Sequence, residues 1–111
     1  MKKLAILFVL LLAGTFAFAE SMNLDDVDKC KEVLMTAINN PKCKYIEFVY
    51  EGTTGETSVI LTSNIVYFSI FKIDNEYCIS LLNLGFTSDK NIWNYKYLKD
   101  GALQIEVPAF G

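Results

Sequence analysis

The chain has 111 residues, 52% of them hydrophobic, and it carries 10 basic residues against 13 acidic ones, a net charge of −3. All the basic residues are lysines, and the sequence contains neither histidine nor arginine. Nucleic acids and anionic membrane surfaces both bind clustered basic side chains. The composition therefore argues against both kinds of partner.

The first 19 residues have the three parts of a secretory signal peptide: a short basic start, an apolar run, and an A-x-A cleavage pattern ending at Ala19. Residues 4–19 are 16 uncharged positions, fewer than the roughly 20 that a membrane-spanning helix needs. We therefore expect residues 1–19 to be removed on export to the periplasm or the exterior. Residues 20–111 would then form a single small domain of 92 residues, with 8 lysines, 13 acidic residues and a net charge of −5.

Apolar residues at three- and four-residue steps predict one amphipathic helix within residues 23–38. Asn23 is expected to cap its start and the Asn39-Asn40-Pro41 sequence to end it. The acidic residues near the start suit the helix dipole and lack the spacing and the glycine of a calcium-binding loop. The predicted buried face comprises Val27, Cys30, Val33, Leu34, Ala37 and Ile38.

Six stretches after the helix have the composition of strands or turns. Strands are predicted over residues 44–50, 57–61, 92–98 and 103–107, and turns over 52–55 and 99–101. Residues 62–64 are either a turn or a bulge in one long strand that continues to Ile73. Residues 85–91 are predicted to be a break.

The strongest pattern is a hairpin over residues 65–84, in which two apolar runs flank Asp74 and Asn75. Both residues tolerate the left-handed backbone of a tight hairpin turn. This turn places Phe71 opposite Cys78, with Ser69 opposite Ser80. The hairpin is apolar on both faces, so we expect it at the centre of a sheet that is covered twice, or at an interface.

The predicted fold class is α+β, with one N-terminal helix packed on an antiparallel sheet of about four to six strands. Antiparallel pairing is expected because the connections are short. This order of elements resembles the cystatin-like arrangement, in which a helix lies across a curled antiparallel sheet.

Three cysteines are the first candidates for chemistry. In an oxidising compartment we expect a disulfide between Cys30 and Cys43, and Cys78 as a buried thiol within an apolar strand. A catalytic thiol at Cys78 would lack the usual histidine partner, and zinc would need four ligands from scattered residues. The sequence therefore predicts no metal, no cofactor and no catalytic site.

Trp93, Tyr95 and Tyr97 lie on one face if their segment is extended. Such a row suits the binding of a sugar or a protein. The favoured alternative is that the row covers the second face of the hairpin, because an apolar face of this kind needs to be buried.

The preferred function is an exported, non-catalytic binding or interaction module, inhibitor-like or envelope-associated, with a protein partner or a homodimer formed through an apolar sheet face. The alternative is a carrier of a small apolar ligand between helix and sheet. A cavity bounded by Leu34, Phe48, Phe68 and Ile70 would support that alternative. An enzyme using Cys78 or a carboxylate pair among Glu47, Glu51 and Glu56 is the least favoured function.

Overall fold

A computed structural model describes residues 19–53 and 55–111. The predicted signal peptide, apart from Ala19, and Thr54 of the predicted turn over residues 52–55 lie outside the described residues. The described chain contains helix α1 and eight strands. Their bounds are α1 (Val27–Asn39), β1 (Glu20–Asn23), β2 (Tyr45–Tyr50), β3 (Thr57–Leu61), β4 (Phe68–Ile73), β5 (Glu76–Leu81), β6 (Leu84–Ser88), β7 (Ile92–Tyr97) and β8 (Leu103–Val107).

The strands form two sheets, of order β1-β7-β8-β2-β3 and β4-β5-β6. The broad α+β class is confirmed, and the prediction of a single sheet of four to six strands is wrong. Residues Thr62–Asn64 form a short 3-10 helix between β3 and β4. They are therefore a turn and not a bulge, and the chain passes through them from one sheet to the other.

The five-stranded sheet is mixed, because β2 and β8 are parallel, with Ile46 opposite Leu103 and Phe48 opposite Ile105. Its other pairs, and all pairs of the three-stranded sheet, are antiparallel. Short connections impose antiparallel pairing on strands that follow one another in the chain. No such constraint applies to β2 and β8, because most of the other strands come between them in the chain.

Helix α1 begins later than predicted. Asp26 is its N-cap, and the Asp26 carboxylate accepts a hydrogen bond from the Lys29 backbone N–H at 3.3 Å. Asn23 instead ends β1, and its side-chain oxygen accepts a hydrogen bond from the backbone N–H of Asp25 at 2.9 Å. The helix buries Cys30, Leu34 and Ala37, as the apolar periodicity predicted.

The predicted hairpin register is confirmed, with Phe71 opposite Cys78 and Ser69 opposite Ser80. Asp74 has the left-handed backbone of the turn, with φ of 55°. The prediction of a break after this hairpin is wrong, because β6 continues the sheet over part of that stretch. Glycine, serine and threonine in β6 concealed its strand character, and the four-residue β1 was too short to predict.

One face of each sheet contributes to a shared core. The ring of Phe48 on β2 stacks on that of Phe86 on β6, with centroids 3.8 Å apart and planes 2° from parallel. Helix α1 contacts β1 of one sheet and β4 of the other. Two sheets and a helix therefore bury one common set of apolar side chains, among them Leu34, Ile46, Phe48, Ile79, Leu81, Trp93, Leu103 and Ile105.

Candidate functional site

The predicted aromatic row lies on β7, between β1 and β8 of the five-stranded sheet. Trp93 is fully buried, and its indole N–H donates a hydrogen bond to the Lys90 carbonyl at 2.8 Å. Tyr95 and Tyr97 are half-buried. The row therefore belongs to the core and its margin, and it does not cover the outer face of the hairpin.

Tyr95 and Tyr97 line an open groove of about 450 Å³ between α1 and the strands β1 and β7. We call this the helix–sheet groove. Its α1 side is formed by Asp26, Lys29, Glu32, Val33 and Thr36, and its β1 side by Glu20, Ser21, Met22 and Asn23.

Glu20 and Tyr95 are joined across the β1–β7 pair. The Tyr95 hydroxyl donates a hydrogen bond to the Glu20 carboxylate at 2.8 Å. Burial, followed by the hydrogen bond and charge of Glu20, raises the pKa of Tyr95 to about 12. Burial and, more weakly, the negative charges that Cys43 and Glu20 carry when ionised raise the pKa of Tyr97. Both hydroxyls are therefore protonated and able to donate hydrogen bonds at neutral pH.

The second candidate site is the face of the three-stranded sheet that points away from the core. We call it the hairpin face; by strand alternation it carries Ser69, Phe71, Ile73, Glu76, Cys78, Ser80, Gly85 and Thr87. Ile73 is 60% exposed and Phe71 is 37% exposed. Of these eight residues, only Glu76 is charged. The sequence predicted a hairpin with two apolar faces, and the structure leaves this face open to solvent.

The three cysteines are free thiols, so the predicted Cys30–Cys43 disulfide is not formed in this structure. The Cys30 thiol donates to the Asn23 carbonyl at 3.2 Å, and the Cys43 thiol donates to that of Tyr45 at 3.4 Å. The Cys30 and Cys43 thiols thus donate to separate backbone carbonyls. Burial raises the pKa of all three, that of Cys30 to about 11, so they are protonated at neutral pH.

The remaining candidates are scattered. Glu47 accepts a hydrogen bond from the Gln104 amide at 2.8 Å on the outer face of the five-stranded sheet, and Glu51 and Glu56 are exposed. No group of three or more metal-ligating side chains occurs within residues 19–53 and 55–111. Leu34 and Phe48, which were predicted to border an apolar ligand cavity, are fully buried in the packed core.

No protein-family model matches the chain, and no curated protein or solved structure does. In the part of the chain that the structure describes, no helix has the length and apolarity needed to cross a membrane.

Sequence reasoning missed Glu20, Asp26, Glu32 and Val33 as neighbours of the two tyrosines. These residues come from β1, the turn before α1 and α1 itself, and no local spacing relates them to β7. The Glu20–Tyr95 pairing spans 75 positions. The one available signal was the alternation of residues 93, 95 and 97, which identified two of the residues that line the groove.

Proposed function

We propose that this protein is a small exported interaction module without catalytic activity, and that it forms a homodimer through the hairpin face. The observation that carries the proposal is the exposure of Phe71 and Ile73 on a sheet face with a single charged residue. Contiguous exposed apolar surface is typical of interaction sites.

The exposed side chain of Tyr67 extends the hairpin face toward one end of the sheet. Tyr67 is 58% exposed, and its hydroxyl donates a hydrogen bond to the Leu82 carbonyl at 3.4 Å. Val66 and Leu84 are 81% and 51% exposed at the same end of the sheet, but Leu84 is opposite the buried Leu81 and so lies on the other face. Leu82 itself has a left-handed backbone with φ of 56°, which costs a non-glycine residue about 1–2 kcal/mol.

The low charge of the hairpin face is compatible with a second copy as the occupant. The exported chain, residues 20–111, carries 8 lysines and 13 acidic residues, a net charge of −5, so two copies repel each other on average. The hairpin face is nearly uncharged, and contact through it keeps most carboxylates of the two copies apart. A homodimer with twofold symmetry requires a surface that complements itself, and an apolar face with few charges meets that requirement.

The test is the oligomeric state of the protein, measured by sedimentation velocity over a concentration series. We expect a dimer, and we expect Ile73→Lys to dissociate it by placing a charge in the apolar contact. Val59→Lys is the matched control, because Val59 is 55% exposed on β3 of the other sheet. A wild-type protein that stays monomeric at every concentration, or equal dissociation by both variants, would contradict the homodimer.

The export part of the proposal has its own test. We expect the protein purified from the periplasm of a bacterial host to have an intact mass that begins at Glu20. A mass that retains the first 19 residues would contradict the predicted cleavage and leave the dimer test unaffected.

A further inference from the structure

Strand β3 forms one edge of the five-stranded sheet, and among the described residues no strand pairs with its outer side. The opposite edge, β1, is four residues long and carries the charged Glu20. The five residues of β3 include neither a charged residue nor a proline. Charged residues, prolines and very short strands are the usual features that keep a sheet edge from pairing with another chain. The β3 edge lacks them and is therefore open to a further strand.

The backbone of β3 alternates between its neighbour β2 and the free edge. At the end of the strand, the Thr62 N–H donates a hydrogen bond to the Lys44 carbonyl at 3.0 Å. Hydrogen-bonded pairs recur at every second residue of an antiparallel ladder, so Ser58 and Ile60 are also bonded to β2. The residues that direct their backbone N–H and C=O groups toward the free edge are therefore Thr57, Val59 and Leu61.

The side chains beside this free edge are apolar. Val59 and Leu61 are 55% and 50% exposed on the solvent face of the sheet. A strand added at the edge would place its alternate side chains next to these two residues. Apolar and β-branched side chains directly opposite each other on neighbouring strands stabilise a sheet. The edge therefore suits a strand with apolar residues at every second position.

An open groove of about 400 Å³ lies at the end of β3. We call it the β3 groove. Leu61, Thr62 and Ser63 line one side of it, and the other side includes Ile38 of α1 and Pro41. Its volume is within the range of about 300–1,000 Å³ that is usual for ligand sites. Leu61 belongs both to the free edge and to the groove, so a strand paired with β3 extends toward the groove.

The two ends of β3 differ in charge. Lys44 lines the β3 groove at one end. Glu51 and Glu56 are exposed in the connection that leads into the other end. An antiparallel partner strand begins at the groove and ends beside this connection. Charge complementarity therefore favours a strand with an acidic residue at its start and a basic residue at its end.

We propose that the β3 edge binds an extended peptide segment of another protein as a sixth, antiparallel strand of the sheet. The peptide forms backbone hydrogen bonds with Val59 and Leu61 and places β-branched side chains beside them. It presents a large apolar side chain at the β3 groove and a basic residue near Glu56. In strand addition, main-chain hydrogen bonds supply the affinity and the alternate side chains supply the specificity. This surface is on the other sheet from the hairpin face, so peptide binding does not depend on the proposed homodimer.

The test is a titration of the protein with the peptide acetyl-Glu-Phe-Thr-Val-Thr-Val-Lys-amide, followed by NMR and amide hydrogen exchange. We expect saturable binding, with slower exchange at Val59 and Leu61. Little change is expected at Ser58 and Ile60, because their N–H groups are already bonded to β2. A peptide with its glutamate and lysine exchanged should bind more weakly. Absence of saturable binding, protection confined to residues outside β3, or equal affinity of the two peptides would overturn the proposal.

Two N-methylated peptides separate backbone pairing from apolar attraction. With the phenylalanine opposite Leu61, the N–H of the first valine faces β3 and the N–H of the second threonine faces solvent. Methylation of that valine nitrogen should weaken binding about tenfold, and methylation of that threonine nitrogen should weaken it less than about twofold. Equal affinity of the two methylated peptides would overturn the proposal.

Variants of the protein locate the site. Val59→Pro removes an N–H that faces the free edge, leaves the bonds between β2 and β3 in place, and should abolish peptide binding. Val59→Thr is the matched control, because it keeps both the N–H and the β-branched shape. Ile73→Lys on the hairpin face should bind the peptide as the wild type does. Loss of binding in Ile73→Lys, or a change in the sedimentation of the protein alone caused by Val59→Pro, would assign the peptide to the hairpin face or the β3 edge to a second copy. Either result would overturn the proposal.

Discussion

The two sheets differ in the face that each turns to solvent. The solvent face of the five-stranded sheet is mixed, because Val59 and Leu61 are 55% and 50% exposed on it. It also carries polar pairs, in which the Gln104 amide donates to Glu47 at 2.8 Å and the Ser21 hydroxyl donates to Asn94 at 2.9 Å. The three-stranded sheet exposes Phe71 and Ile73. Both sheets bury their other face in the same core, so burial alone does not explain the difference. The two solvent faces differ in their polar groups: the larger sheet pairs polar and charged side chains across its strands, whereas Glu76 is the one charged residue of the hairpin face.

The largest expected effect comes from breaking the contact that joins the two sheets. Phe48→Ala removes a fully buried ring stacked on Phe86 and should destabilise the protein by about 3–5 kcal/mol, measured by urea unfolding. Phe110→Ala is the control, because Phe110 is 56% exposed and its loss should change stability by about 0.5 kcal/mol or less. Equal losses would mean that the sheets do not depend on this contact.

The next effect concerns the β7–β8 turn of the five-stranded sheet. Gly101 has φ of +93°, and a Cβ there would lie 2.8 Å from the Lys42 backbone oxygen. Gly101→Ala should therefore destabilise the protein by about 1–3 kcal/mol in the same unfolding assay. Gly55→Ala has a similar φ of +80° but meets no atom within 4 Å. Gly55→Ala should therefore destabilise the protein less than Gly101→Ala. Equal destabilisation by the two variants would mean that the positive φ, and not the contact with Lys42, accounts for the whole effect.

A smaller effect should come from the solvent face of the larger sheet. In a double-mutant cycle of Glu47→Ala and Gln104→Ala, we expect a coupling energy of about 0.5–1.5 kcal/mol, because their side chains share one hydrogen bond. The hairpin face offers the comparison in Ser69 and Ser80, which are directly opposite. A larger coupling energy between Ser69 and Ser80 than between Glu47 and Gln104 would contradict the difference in polarity between the solvent faces of the two sheets.

The last effect is absent at neutral pH and confined to alkaline solution. The fold raises the pKa of Tyr95 to about 12 from its ordinary value of 10.0. The phenol thus contributes stability that is complete below pH 10 and is lost as the pH rises toward 12. We expect Tyr95→Phe to reduce this alkaline loss in unfolding measurements, relative to the wild type and to Tyr67→Phe on the other sheet. An unchanged pH profile would contradict the raised pKa of Tyr95, which burial and the Glu20 carboxylate produce together.

The sequence predicted most helices and strands because their formation depends on residues that are close together in the chain. Alternation around Asp74 and Asn75 specified the register of β4 and β5, and apolar periodicity specified the buried face of α1. Predictions failed where a neighbour in space decided the outcome. Asn23 became part of β1 through pairing with β7, and Asp26 was then the residue free to cap the helix.

The sequence by itself determined the fold class, the central hairpin, the apolar helix face and the absence of basic clusters, since each depends on residue types at short spacing. The tertiary structure alone decided the division into two sheets, the parallel pairing of β2 with β8, and the helix–sheet groove. These features join residues far apart in the chain, such as Glu20 and Tyr95. Their pairing depends on how all the elements share one core, which no local pattern encodes.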